Sequence, residues 1–230
     1  MVELADTMDS KSIESKISCR FDSDQRHMSY YRTLPISDDK NLRAYIIGLA
    51  IGDGNLSRVN RTTRLRISCD NKYPSLRRRI VNSLKLLLPN NKIGTVKNQK
   101  NCMDVYVYSN HLEDLLGWKA TEGSKFIQNV SGPKWIRETI EYKTSYIKGI
   151  IETDGSVYYD RGYPMVMITT IIKDLAIELK DIIDSLGFKS HIYKVDGRKN
   201  KYNYNKQIEY HVRLSKNVQK FLDLVKPDKS

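Results

Sequence analysis

Two aspartates, Asp53 and Asp154, each close a nearly apolar run and each precede a glycine. The runs are copies of one another. Ala44-Tyr-Ile-Ile-Gly-Leu-Ala-Ile-Gly-Asp-Gly54 returns as Ser145-Tyr-Ile-Lys-Gly-Ile-Ile-Glu-Thr-Asp-Gly155, every position 101 residues later. The same offset carries Leu65 to Val166, Ile67 to Ile168 and Lys72 to Lys173, so a motif and its downstream hydrophobic pattern recur together. Both runs read as helices, with Gly54 and Gly155 expected in the left-handed conformation that follows a helix C-terminus. Residues four apart share a helical face, which gives the rows Ala44, Gly48, Gly52 and Ser145, Gly149, Thr153. Small residues on facing ridges let two helices approach closer than the usual ~8–10 Å. If these rows face each other, the two carboxylates end side by side at two helix C-termini. That is electrostatically uphill, because like charges repel and each lies at the negative end of a dipole. A divalent cation held by both carboxylates and nearby backbone carbonyls resolves the conflict. Magnesium suits such an all-oxygen, partly hydrated site, and metals that bridge attacking and leaving oxygens hydrolyse phosphodiesters. A single Asp-Gly after a helix would be only a turn; two in a long repeat with matching small faces make Asp53 and Asp154 the candidate catalytic, metal-binding pair.

The elements around each motif repeat as well. Strands are expected near Asn55–Val59 and Arg64–Ser68, a helix near Ser75–Leu88, strands near Ile93–Gln99 and Asp104–Ser109, and a short helix near Leu112–Leu116. The second copy has strands near Ser156–Tyr159 and Met165–Thr169, a helix near Asp174–Leu186, strands near Ser190–Val195 and Tyr210–Ser215, and a helix near Asn217–Val225. The fold class is α+β, αββαββα twice. Residues 28–116 form a first subdomain, 117–144 a linker and 145–230 a second subdomain. The polar, tyrosine-bearing stretch Lys199–Lys206 is a hairpin loop, either a solvated tip or a grip on backbone phosphates.

Composition points the same way. The chain has 39 Lys and Arg against 27 Asp and Glu, a net charge of +12, and a pI near 9.5. Such a surplus suits a polyanion, whose counterions are released as phosphates are neutralised. No apolar run reaches membrane-spanning length and no signal peptide is evident. Cys19, Cys69 and Cys102 form no paired framework, and with His27, His111, His191 and His211 they lack zinc-ligand spacing. The expected location is the cytoplasm, nucleoid or an organellar matrix, not the exterior.

From Asn41 to Lys226 these features resemble the LAGLIDADG homing endonucleases, in their single-chain, two-motif branch. The resemblance implies two four-stranded antiparallel sheets forming a concave saddle in the DNA major groove, around two central motif helices. It implies a monomer that hydrolyses both strands of a long double-stranded DNA site with Mg2+, leaving short 3′ overhangs; Mn2+ or Ca2+ would substitute for binding. Metal ligands would be Asp53 and Asp154 with the carbonyls of Gly52 and Thr153. Residues that order catalytic water vary across the family, and Lys119 and Lys125 in the linker are candidates. The sequence departs from the family at the sixth motif position, commonly acidic, which is Ile51 in one copy and Glu152 in the other, and at Lys148, where a small residue is usual. None of these lies on the small-residue face. Relatives with this fold include RNA maturases of introns and non-cleaving DNA-binding proteins, and these are the alternative functions.

Strand alternation assigns the DNA-facing side chains. With Leu65 and Ile67 turned to the helices, Arg64, Arg66 and Ser68 face DNA, and arginine is the usual bidentate partner of guanine. Their second-half counterparts, Met165, Met167 and Thr169, make a less charged surface, so the target is asymmetric. Asn55, Ser57 and Arg61 correspond to Ser156, Tyr158 and the following loop. Thr95, Lys97 and Gln99 alternate with Val96, and His211 and Arg213 alternate with Val212 and Leu214; these too are assigned to DNA.

The first 27 residues match nothing in that family. Met1–Thr7 reads like a conceptual translation of the D-arm of a leucine tRNA gene, Asp9–Ser12 fits its anticodon stem-loop, and Cys19–Asp24 resembles its T-arm. The reading frame is expected to begin inside a tRNA gene, with translation from Met28. Deleting residues 1–27 should then leave melting temperature and cleavage rate almost unchanged. A truncated protein that unfolds or loses affinity would make the segment part of the enzyme.

Overall fold

A computed structural model describes residues 37–98, 101–197 and 207–228. Gln99 and the Lys199–Lys206 stretch, both singled out above, lie outside the described residues, as do residues 1–36. The first half runs α1 (Lys40–Ile51), β1 (Gly54–Val59), β2 (Thr62–Asp70), α2 (Pro74–Leu87), β3 (Gly94–Lys97), β4 (Cys102–Tyr108) and α3 (Leu112–Leu116). A 3-10 turn, Lys134–Arg137, leads to the second half: α4 (Ile140–Asp154), β5 (Gly155–Asp160), β6 (Tyr163–Thr170), α5 (Lys173–Ser185), β7 (Ser190–Val195), β8 (Glu209–Leu214) and α6 (Val218–Val225). The fold is α+β and duplicated. Each half builds a four-stranded antiparallel sheet, ordered β1-β2-β4-β3 and β5-β6-β8-β7.

The two motif helices are the shared core. Asp39 caps α1 by accepting from the Leu42 N–H at 3.1 Å, and Thr139 caps α4 by accepting from the Tyr142 N–H at 3.1 Å. The Thr139 cap starts α4 at Ile140, inside the segment expected to be linker. Ala44, Ile46, Ile47, Leu49 and Ala50 of α1 are fully buried, as are Tyr146, Ile147 and Ile151 of α4. The helices meet through the small-residue rows. A Cβ placed on Gly48 would lie 2.3 Å from the Tyr146 carbonyl oxygen, and one on Gly149 would lie 2.4 Å from that of Tyr45. Backbone thus touches backbone.

Gly54 and Gly155 are not left-handed. Among the described glycines only Gly117, Gly123, Gly162 and Gly187 have positive φ. Gly155 is extended, with φ −86 and ψ 157, and each glycine is the first residue of a strand. What they supply is room: a Cβ on Gly54 would come within 2.3 Å of the Ala50 carbonyl oxygen, and one on Gly155 within 2.6 Å of Ile151 Cα. The chain leaves each helix by folding back along its last turn, and this brings Asp53 and Asp154 to the mouth of their strands. Among the described residues no helix is long and apolar enough to cross a membrane.

Candidate functional site

The seam of small residues extends to the acids. A Cβ on Gly52 would lie 1.9 Å from Thr153 Oγ1 and 3.4 Å from the Asp154 carboxyl carbon. The C-terminal turn of each motif helix is therefore packed against that of the other. Two cavities open here. One, about 300 Å3, is lined by Asp53, Ser68, Glu152, Thr153 and Ser156 among others. The other, about 360 Å3, is lined by Gly52, Lys125, Asp154, Thr169 and Glu209 among others. Each aspartate shares a cavity with the residue that precedes the other aspartate, so both halves build both cavities.

Lys125 and Lys119, indistinguishable in sequence, have different fates. Lys125 reaches 75 residues back along the chain and donates to the carbonyls of Ala50, Ile51 and Gly52 at the end of α1. Its ammonium completes the negative end of that helix. Burial pushes the amine below the usual lysine value, and the nearby Asp154 and Asp53 carboxylates pull it partly back. Lys119 instead pairs with Glu113 at 3.4 Å on an exposed surface, which explains it as surface charge and removes it from the site. The Gly52 carbonyl, expected to face a metal, is engaged by Lys125.

The donor chemistry suits a hard divalent cation. The side chains converging here are carboxylates and a hydroxyl, with backbone carbonyls beside them, and the place already holds a cationic ammonium. Among the described residues no three His, Cys, Asp or Glu side chains form a ready-made cage. A metal would thus be completed by carbonyls, water and phosphate, which is how magnesium is usually bound.

The outer face of the first sheet begins at this site. The Ser68 N–H donates to the Asp53 carbonyl at 3.3 Å, and Ser68, Arg66 and Arg64 follow one another along that face while Leu65 and Ile67 are fully buried behind it. Asn55 pairs with Arg66 and Ser57 with Arg64 across β1 and β2. Ser57 Oγ and Arg64 Nε, enclosed by the protein, have no hydrogen-bond partner among the described residues. Arg61 sits at the exposed turn between the strands. In the second sheet Ser156 and Tyr158 pair with Met167 and Met165, Thr169 with His211, and Met167 with Arg213. All of these share the outer face, because Val166, Ile168, Val212 and Leu214 are buried on the other.

Thr95 and Lys97 do not belong to that face. Thr95 pairs with the fully buried Val105 and Lys97 with Met103, whereas Val96 pairs with Asp104, on the side of Arg66. The parity of β3 is opposite to the sequence expectation. Alternation alone could not fix it: all but one residue of this four-residue edge strand are exposed, so no buried face marks the register.

Sequence reasoning missed Asp104. It is 2 % exposed on the outer face; its carboxylate accepts from Ser68 Oγ at 2.7 Å and Asn98 Nδ2 at 3.0 Å and lies 3.5 Å from Arg66 Nε. An acid opening an expected strand that continues with Val105 and Val107 was the available signal. The Asp104 carboxylate attracts the Arg66 guanidinium from beneath it on the same face. Arg66→Ala should relax base preference at one position of one half-site, worth ~1–3 kcal/mol for a bidentate base contact, and Asp104→Asn should blur the same position without moving others. Base-by-base profiling of bound duplexes checks this; a uniform loss across all sequences would assign Arg66 to phosphate.

Glu152 is a second omission. It is 1 % exposed and accepts from Tyr45 Oη, from Arg79 at 2.7 Å and from the Asp228 N–H at 2.9 Å. Arg79 also pairs with the Asp228 carboxylate at 3.1 Å. This buried acid ties the second motif helix to the first half and to the segment after α6.

Residues 141–226 match the model of a LAGLIDADG-like domain. The chain is 25 % identical over 188 residues to a DNA polymerase from Thermococcus sp. (strain GE8); the match covers 76 % of this chain but spans a tenth of that protein's length. Among solved structures it is similar to mesophilic variants of the homing endonuclease I-DmoI, with TM-score 0.59 and 20 % identity, covering 81 % of this chain and 95 % of that one. I-DmoI in complex with DNA and Mn gives TM-score 0.55 and 18 % identity, over 83 % and 97 % of the two chains. The N-terminal LAGLIDADG domain of WhiA gives TM-score 0.57 at 13 % identity, over 84 % and 86 %.

Proposed function

We propose that this chain, which carries the LAGLIDADG fold in both of its halves, is a site-specific endonuclease that cuts both strands of an asymmetric DNA duplex. The observation that carries the reading is the junction of Gly52, Asp53, Thr153 and Asp154, where two backbone-close helices bring two aspartates and one half-buried lysine to the start of two sheet faces. Its electrostatics favour a divalent ion, and the I-DmoI complexes with DNA and Mn support this choice of cofactor. Asp53 and Asp154 would hold Mg2+, with backbone oxygens of the motif ends beside them; when bound, the ion lowers the pKa of attacking water and neutralises charge on phosphate. Lys125, bound to the carbonyls at the end of the first motif helix, places a positive charge near both acids and would offset charge on a phosphate drawn to them. The outer faces of β1, β2, β4 and of β5, β6, β8 supply the contacts that set register and sequence, as a saddle over the major groove.

Cleavage by a single chain fits a molecule whose two sites are already joined, and the host DNA compartment is its place of work. The test is to incubate the protein with magnesium and the DNA flanking its own gene, joined as it would be without the insertion. A staggered double-strand break at the junction, with short 3′ overhangs, is expected. Binding without any break, under conditions where the protein is folded and magnesium is present, would favour a non-cleaving DNA-binding protein.

A further inference from the structure

Each arginine of the first outer face is replaced by methionine in the second at the same register. Met165 stands where Arg64 stands and Met167 where Arg66 stands, while Tyr158 takes the place of Ser57. The methionines are half-buried. Tyrosines widen the apolar surface: Tyr158 is 40 % exposed, Tyr163 72 % and Tyr193 51 %. Tyr163, Met165 and Tyr193 border a trough of about 660 Å3 whose lining is also charged, with Asp160, Arg161, Arg213 and Lys216. Arg213 lies opposite Met167 in register, and its guanidinium reaches the Met165 sulfur at 4.0 Å.

This face is continuous with the metal-binding junction. Ser156 lines the cavity of Asp53, and Thr169 and Glu209 line that of Asp154. Along β6, Thr169, Met167 and Met165 then lead away from the acids just as Ser68, Arg66 and Arg64 do along β2. The occupant of the second face is accordingly the other half of the same duplex.

We infer that the second half of the chain reads its half-site through thymine C5-methyl groups, with Met165, Met167 and Tyr158 as the specificity-determining residues. The inference rests on the DNA-binding function proposed above. A thioether has no donor and is only a weak acceptor, so under it the edges of guanine and cytosine would lose water without gaining a partner. The one apolar group on any major-groove edge is the thymine methyl. The target therefore places guanine under Arg64 and Arg66 in one half-site and thymine under Met165 and Met167 in the other, beside the bases that Arg213 and His211 meet.

Binding a random duplex library in Ca2+, to select without cutting, gives the target. Profiling the Arg66→Ala protein shows which half-site lies under the first sheet; the other belongs to the second. Each thymine is then replaced by uracil, which deletes the methyl and keeps the pairing. In the second half-site each replaced thymine that meets the face should weaken binding about fourfold, the worth of one buried methyl, with smaller effects in the first. Met167→Lys, a change on an outer face, should keep the melting temperature and erase the penalty at one position. Duplex binding with equal uracil sensitivity in both half-sites, or a second half-site rich in guanine and cytosine, overturns this inference and leaves the DNA reading standing. A folded protein that binds no duplex overturns both.

Discussion

Asp53→Asn and Asp154→Asn are each expected to abolish double-strand cleavage while leaving duplex affinity largely intact. The amide keeps the volume and one oxygen of the carboxylate, so the packing of the motif ends should survive. What is lost is the negative charge that, under the proposed function, would draw a divalent ion into the junction. Each aspartate lines its own cavity, and each cavity is completed by the end of the opposite motif. A loss on the order of 10²–10³ or more is expected, the scale for removing one group that meets developing charge. Affinity should not fall with it, because under the proposed function phosphates and bases are met by the sheet faces. Relieving the repulsion between two neighbouring carboxylates and phosphate can even tighten binding. Plasmid linearisation beside binding in Ca2+ separates the two effects, and a wild-type cleavage rate in either variant would remove that aspartate from the site.

The largest effect on stability should come from Gly48 and Gly149. Any side chain at either position would have to occupy space already filled by backbone: the Tyr146 carbonyl on one side, the Tyr45 carbonyl and the Leu49 nitrogen on the other. A flexible side chain could turn away, but a backbone can yield only by separating two helices whose flanks are fully buried. Gly48→Leu or Gly149→Leu should cost at least about 1–3 kcal/mol, the usual range for overpacking, and even alanine should be felt. The loss appears as a lower melting temperature in DNA-free protein. Unchanged melting would mean that the helices do not meet through these glycines.

The helix pair and the acids were legible in sequence because a repeat writes the same constraint twice: small residues every fourth position, then Asp-Gly, at one fixed offset. The faces of β2 and β6 were legible because both strands alternate cleanly, with Leu65, Ile67, Val166 and Ile168 marking the buried side. The face of β3 was not, since its parity is set by pairing with β4 and by nothing within its own four residues. Gly54 and Gly155 were read through a local rule about helix ends, while the actual reason is contact with a turn four residues earlier. Lys125 could not be told from Lys119, because what distinguishes them is a loop path that returns one of them to α1. Asp104 and Glu152 were overlooked for a related reason. Their meaning lies in partners such as Ser68, Asn98, Tyr45 and Arg79, which are distant along the chain and adjacent only once it has folded.

The charges at the seam bear on which halves can pair with which. Arg79 in α2 and Glu178 in α5 occupy matching places, each following a buried leucine by three residues, Leu76 and Leu175. Arg79 answers Glu152 of the opposite motif helix. Glu178, 5 % exposed, is held by the Gly132 N–H at 3.0 Å with Arg137 at 3.9 Å, and the motif residue that matches Glu152 on its side is the uncharged Ile51. If two copies of the second half paired with each other, Glu152 would confront a second Glu178 in a space from which water is excluded. If two copies of the first half did so, the half-exposed Arg79 would face Ile51 and lose its carboxylate partner. Charges of this kind are costly when left without a partner. Each half is thus complementary in charge to the other and not to a copy of itself, and a single polypeptide supplies the two in equal number.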